Sequence, residues 1–187
     1  MNSIKRHLGS AAAALLLGAA GTAGIAAPAS ATTAYRPVNS TGDVEIRATF
    51  SDKCLEVADW RTDDGAPVRQ WTCTGGDNQK WRFTDGYAVN VHSGKCLEVP
   101  GWSTAPAAPI GQWTCTGGDN QRWGAVNVGN GGLGVSDRSM AVVNFHSDLV
   151  LDVNGGDFAD GAPVIQWYST GVRNQRLLLT PPATAAR

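Results

Sequence analysis

KCLEVADWRTDDGAPVRQWTCTGGDNQKWRF, residues 53–83, returns as KCLEVPGWSTAPAAPIGQWTCTGGDNQRWG at residues 95–124. The offset is constant: Cys54 to Cys96, Trp71 to Trp113 and Trp81 to Trp123 are each 42 positions apart. A third, diverged copy, LVLDVNGGDFADGAPVIQWYSTGVRNQRLLL, occupies residues 149–179. Its Trp167 lies 54 positions after Trp113, so 12 extra residues separate the second and third copies; they fall in and around the Gly-rich run 129–134, which reads as a surface loop. Within each copy, short strand-like runs alternate with turn chemistry such as Asp64-Gly65, Ala66-Pro67 and Gly75-Gly76. A single unit of about 40 residues cannot bury its own apolar face, whereas three stacked around an axis can. The pattern predicts an all-β fold of three pseudo-threefold repeats, each of about four strands.

The ends of the chain read differently from its middle. Lys5, Arg6 and His7 precede an Ala/Leu-rich stretch centred on Leu15, Leu16 and Leu17, and Ala29-Ser30-Ala31 supplies a cleavage site. Residues 1–31 are expected to be a secretory signal peptide, residues 32–42 a flexible leader, residues 43–181 the domain and residues 182–187 a tail. Without residues 1–31 the chain carries 13 basic and 16 acidic residues and no basic tract. That composition argues against nucleic acid and membrane as partners.

The four cysteines pair within copies. Three connectivities are possible, but equivalent positions of a repeat should form equivalent bonds, which selects Cys54–Cys73 and Cys96–Cys115. Export makes such bonds plausible. The third copy has Val150 and Ser169 instead and must hold its geometry by packing. Zinc spacing is absent, and no metal or other cofactor is expected.

The run Gln70-Trp71-Thr72-Cys73 to Asn78-Gln79-Lys80-Trp81, repeated in phase three times with matching cysteines, resembles the ricin B-type lectin family. The resemblance covers about residues 43–181 and implies a β-trefoil: a six-stranded barrel capped by three hairpins. It also implies a shallow sugar pocket in each copy, built from a carboxylate after the Cys-Leu pair, an aromatic two places before the second Cys and the Asn of the Asn-Gln pair. Carried over, these are Glu56, Trp71 and Asn78; Glu98, Trp113 and Asn120; and Asp152, Trp167 and Asn174, with Gln79, Gln121 and Gln175 as supports. Trp81 and Trp123, replaced by Leu177 in the third copy, belong to the core in that family.

The chemistry suits a sugar on its own terms. A Trp face covers the C–H side of a pyranose at little entropic expense, a carboxylate accepts hydroxyl hydrogens, and an Asn amide both donates and accepts. The family pattern has Asp, so Glu56 and Glu98 displace the acceptor by about 1.5 Å, and the third copy, with Asp152, is expected to be the best-preserved pocket. Trp60 and Trp102, also 42 positions apart, would either extend a sugar platform or pack the loop; the third copy has Gly156 there. His92 and His146, aligned with Phe50, read as structural. The expected function is that of a secreted, monomeric, non-catalytic protein binding galactose- or xylose-type sugars or polysaccharides. The alternatives are a protein-binding trefoil or protease inhibitor and, less favoured, a glycosidase, which needs two carboxylates facing each other across a cleft.

Overall fold

The computed structural model describes residues 35–128 and 138–182. The expected signal peptide, the core of the extra loop at 129–137 and the tail beyond residue 182 lie outside the described residues.

Strands form where burial alternates with period two. Lys80–Thr84 buries Trp81 and Phe83 and turns Arg82 and Thr84 outward, which is the pleat of a sheet with one face on a core. Each copy supplies four such strands. Copy one holds β2 (Val44–Ala48), β3 (Lys53–Val57), β4 (Val68–Trp71) and β5 (Lys80–Thr84); copy two holds β6 (Tyr87–Asn90), β7 (Cys96–Glu98), β8 (Gly111–Trp113) and β9 (Trp123–Asn127). Copy three holds β10 (Met140–Asn144), β11 (Val150–Val153), β12 (Val164–Trp167) and β13 (Leu177–Thr180). The first and last strands of the copies close a ring: β2 pairs with β5, β5 with β6, β9 with β10, β10 with β13 and β13 with β2. A bridge between Tyr87 and Arg122 joins the remaining neighbours, β6 and β9. The inner pairs β3–β4, β7–β8 and β11–β12 are antiparallel hairpins. They meet near the axis, where Val68 N–H donates to Ile110 O and Ile110 N–H to Val164 O. The fold is a β-trefoil.

The core repeats with the chain. Leu55, Leu97 and Leu151 are equivalent and fully buried, and Trp81 and Trp123 sit beside them at 0% exposure with Leu177 in the third place. Each indole N–H has a partner, Trp81 Nε1 donating to Leu55 O at 3.1 Å and Trp123 Nε1 to Leu97 O at 3.0 Å. The two expected disulfides are present, Cys54–Cys73 and Cys96–Cys115, each with Cα atoms 5.1 Å apart. Each closes a loop of about 20 residues, an effect on the order of 3 kcal/mol in the chain-entropy account.

The copies are sewn together by the Gln of each Gln-Trp pair. Gln70 Nε2 donates to Asp157 O and Ala159 O of copy three, Gln112 Nε2 to Arg61 O and Asp63 O of copy one, and Gln166 Nε2 to Ser103 O and Ala105 O of copy two. Ser51, Ser93 and Ser147 donate to the same three Gln side chains and fix their amide orientation. Two of the three seams add an ionic clamp. Asp160 accepts from Lys53 Nζ and Thr72 N–H, and Asp64 accepts from Lys95 Nζ and Thr114 N–H. At the third seam the equivalent residues are Pro106, Leu149 and Tyr168, so no such clamp is possible there.

One expectation is corrected. Residues 35–42, read as part of a flexible leader, are tied to the domain. Strand β1 (Arg36–Pro37) pairs with β9, Val38 is buried in the core, and Val38 N–H donates to Trp123 O while Gly86 N–H donates to Val38 O. The segment is too short and too polar to signal a strand by its pattern. It is held because β9 offers unpaired backbone groups that it satisfies.

Candidate functional site

The three expected pockets lie at equivalent places, where a hairpin strand, the hairpin tip and a single 3-10 turn converge. The turn carries the Asn-Gln pair, Asp77–Gln79 in copy one, Asp119–Gln121 in copy two and Arg173–Gln175 in copy three. The Gln side chain is the anchor. Its Oε1 accepts from the backbone N–H of Thr74, Thr116 or Thr170. Its Nε2 donates to the carboxylate of the same copy, at 2.9 Å to Glu56, 2.5 Å to Glu98 and 2.8 Å to Asp152. The amide therefore cannot flip without losing both bonds, and it holds one carboxylate oxygen; the other accepts from Arg69 in copy one and from Asn174 in copy three.

The copies diverge from there. In copy three Asn174 Nδ2 donates to Asp152 Oδ1 at 2.8 Å and to Val153 O at 3.0 Å. Asn174 remains partly open to solvent, as does Trp167 at 36% exposure. These groups line a cavity of about 300 Å³ with Ile165, Thr170 and Val172 on its walls. Burial pushes the Asp152 carboxyl above the ordinary Asp value, while the bonds from Gln175 and Asn174 pull it back in part.

Copy one keeps a smaller cavity, about 220 Å³, lined by Glu56, Trp60, Trp71 and Asn78 and narrowed by Arg69. Arg69 donates to Glu56 Oε1 at 3.0 Å and to Asp59 Oδ1 at 2.8 Å. Its guanidinium lies 4.4 Å from the centre of the Trp71 ring, a cation–π contact on the residue expected to stack on sugar. Asn78, at 2% exposure, donates to Val57 O and more weakly to Glu56. Copy two lacks the arginine, having Gly111 there, and copy three has Ile165. Its Asn120 is nevertheless also 2% exposed and donates to Val99 O, and its Glu98 carboxyl is raised by burial.

Trp60 and Trp102 explain the closed asparagines. Both have positive φ, 56° and 55°, and their rings lie over Gly76 and Gly118, where an added Cβ would meet the indole at 2.8 Å and the Asn Oδ1 at 2.8 and 2.6 Å. His92 and His146 brace them from the next copy. Each ring meets its Trp edge-on, and Nε2–H donates to the Trp carbonyl at 3.1 Å. The rings pack over Gly76 and Gly118 on one side and stay 52% exposed, and Trp60 lines the copy-one cavity with Glu56 and Trp71, so both loop packing and a sugar platform are open to them. Gly156 of copy three, φ 63°, has no ring to place there, and Asn174 stays open. Trp102→Gly is therefore expected to uncover Asn120 and to relieve a left-handed non-glycine backbone at the same time. A crystal structure of that variant with Asn120 still buried would contradict this.

Residues 34–89 and 77–167 match the sequence profile described as the ricin-type β-trefoil lectin domain-like family. The chain belongs to this family. A designed threefold-symmetric protein, ThreeFoil, is 40% identical to this lectin-like chain, with a TM-score of 0.67 over 74% of this chain and 98% of the designed one. An exo-β-1,3-galactanase from Clostridium thermocellum is 30% identical, with a TM-score of 0.67 over 76% of this chain and 31% of the galactanase. The ricin B-like lectin of Macrolepiota procera, solved with lactose, shares the fold at 17% identity and a TM-score of 0.64, covering 78% of this chain and 99% of that lectin. Among curated proteins, the probable lipoprotein EnvE of Salmonella typhimurium is 44% identical over 39 residues, 21% of this chain and 22% of that protein.

Arg69 carries no motif and was missed in the sequence. The signal available was that one repeat-equivalent position changes from Arg69 to Gly111 to Ile165 two residues before an otherwise invariant Trp.

Proposed function

We propose that this lectin-like chain is a secreted, non-catalytic carbohydrate-binding protein whose working site is the cup of copy three. The observation that carries the reading is the open grouping of Asp152, Asn174 and Trp167 around a cavity of about 300 Å³, against a smaller cavity of about 220 Å³ in copy one, where Arg69 already lies on Trp71 and Glu56, and a buried Asn120 in copy two. In the cup, each Asp152 oxygen has a lone pair left over from its bond to Asn174 or Gln175, and the two together accept two vicinal hydroxyl hydrogens. Asn174 adds an amide, and the Trp167 face covers the C–H side of the ring. Kinship with part of a galactanase favours galactose-type sugars, with xylose-type sugars next. The three equivalent carboxylates sit one to a copy, each bonded to its own Gln amide, which suits holding hydroxyls rather than acid–base cleavage between two facing acids. The leader-like residues 1–31 and the two disulfides support export.

A glycan array probed with the full chain tests the reading, and an array with no retained sugar would end it. The best binder then gives a pH test. The ionised carboxylate is the binding form, and its proton is held more tightly than by an ordinary Asp. Binding is therefore expected to fall as the pH drops through that raised value, already above 3.8. The sign for stability is opposite. A folded-state pKa above the unfolded one contributes stability below the unfolded value and loses it as pH rises through the folded value, so acid does not unfold the protein through Asp152. Asp64 and Asp160, lowered chiefly by their Lys partners, contribute stability above 3.8 and lose it only below. Titration calorimetry alongside circular dichroism separates the two effects; binding unchanged down to pH 3.8 would contradict the role of Asp152.

A further inference from the structure

A second cavity, of about 400 Å³, adjoins the cup of copy three and shares Val172 and Asn174 with it. Phe50, Gly156, Phe158 and Arg173 form its other walls. Four repeat positions change together here. Gly156 stands where Trp60 and Trp102 roof the other copies, which opens the space. Phe50 replaces the bracing histidine, and Phe158 replaces Thr62 and Thr104. The two phenylalanines meet edge-on with ring centres 4.9 Å apart, and Phe158 is 58% exposed. The fourth change is a charge reversal: Asp77 and Asp119 become Arg173. Arg47, Arg61, Arg69 and Arg82 are each paired with acidic neighbours. Arg173, among the described residues, has no such partner and lies exposed at the mouth of the cavity.

A wall of apolar carbon beside the cup, with an uncommitted guanidinium at its edge, suits a sugar ring that carries a carboxylate. The C–H face packs on Phe158, as on any aromatic platform, and the planar carboxylate matches the two parallel N–H groups of the arginine fork. We infer that the second cavity is a subsite for a uronic acid unit linked to the sugar held in the cup, so that the preferred ligand is an acidic oligosaccharide. This rests on the cup of copy three being the sugar site.

The test is an array of matched pairs: neutral galactosyl, xylosyl and arabinosyl oligosaccharides, and the same chains ending in a uronic acid. It is probed with the full chain, with Arg173→Gln and with Asp152→Ala. The acidic member of the best pair is expected to bind about fivefold more tightly than the neutral one at low salt, the upper range for one exposed ion pair. Arg173→Gln should bring the acidic-to-neutral ratio to about one, with circular dichroism checking its fold. Asp152→Ala should weaken both members. Equal binding of acidic and neutral members, or a preference that survives Arg173→Gln, overturns the subsite and leaves the cup standing. Loss of neither member with Asp152→Ala, or no bound glycan at all, overturns both.

Discussion

Asp152→Ala is expected to weaken sugar binding by about thirty- to 150-fold, while Glu98→Ala changes it less than about twofold. The first figure is the removal of charge-assisted hydrogen bonds, on the order of 2–3 kcal/mol. The second follows from copy two, where Asn120 is buried and Trp102 packs over the neighbouring Gly118. Asp152→Asn refines the test. It keeps the volume but only one of the two acceptor oxygens, so it can accept from Gln175 or from Asn174 but not from both, and the charge is lost together with one supporting bond. An intermediate loss is expected from it, about tenfold, as for a charged bond replaced by a neutral one. Titration calorimetry with the best array ligand reads all three. Wild-type affinity in Asp152→Ala, or a large loss in Glu98→Ala, would move the site out of copy three.

Trp123→Ala should lower the unfolding free energy by about 3–5 kcal/mol, and Trp113→Ala by under about 1 kcal/mol. The two tryptophans are ten residues apart and chemically identical. Trp123 is 0% exposed, its removal opens a cavity among Trp81, Leu97 and their neighbours, and Leu97 O loses the indole donor. Trp113 is 39% exposed on the surface of a hairpin. Trp123→Leu should be milder than Trp123→Ala, since Leu177 fills the equivalent place in copy three with no indole. Urea unfolding followed by fluorescence measures the series. Equal midpoints for Trp123→Ala and Trp113→Ala would refute the placement of the core.

The candidate site was drawn from the family resemblance, and the repeat carried it to all three copies. The carboxylate, Trp and Asn-Gln positions recur with fixed spacing, and equivalent positions in a threefold fold occupy equivalent places. What repetition could not reveal is what the non-repeating side chains do. Arg69 has no counterpart, and its contact with Trp71 crosses one hairpin strand to the same face two residues on. The reach of Trp60 to Gly76 spans 16 positions and depends on a left-handed backbone that the sequence Asp59-Trp60 does not announce. The N-terminal strand was misread for a related reason: Arg36 and Pro37 have no strand pattern of their own, and only the free edge of β9 gives them a partner.

The sequence by itself determined the threefold β architecture and both disulfides, because each follows from phase: a repeat with a fixed period places like residues alike; the core place of Trp81 and Trp123 came from the resemblance to the ricin B-type family. Only the tertiary structure decided how the three candidate cups differ. That depends on contacts between residues distant along the chain, Arg69 on Trp71 and Glu56, Trp102 over Gly118. Whether a pocket is filled or empty is a matter of packing volume, which no spacing of residues encodes.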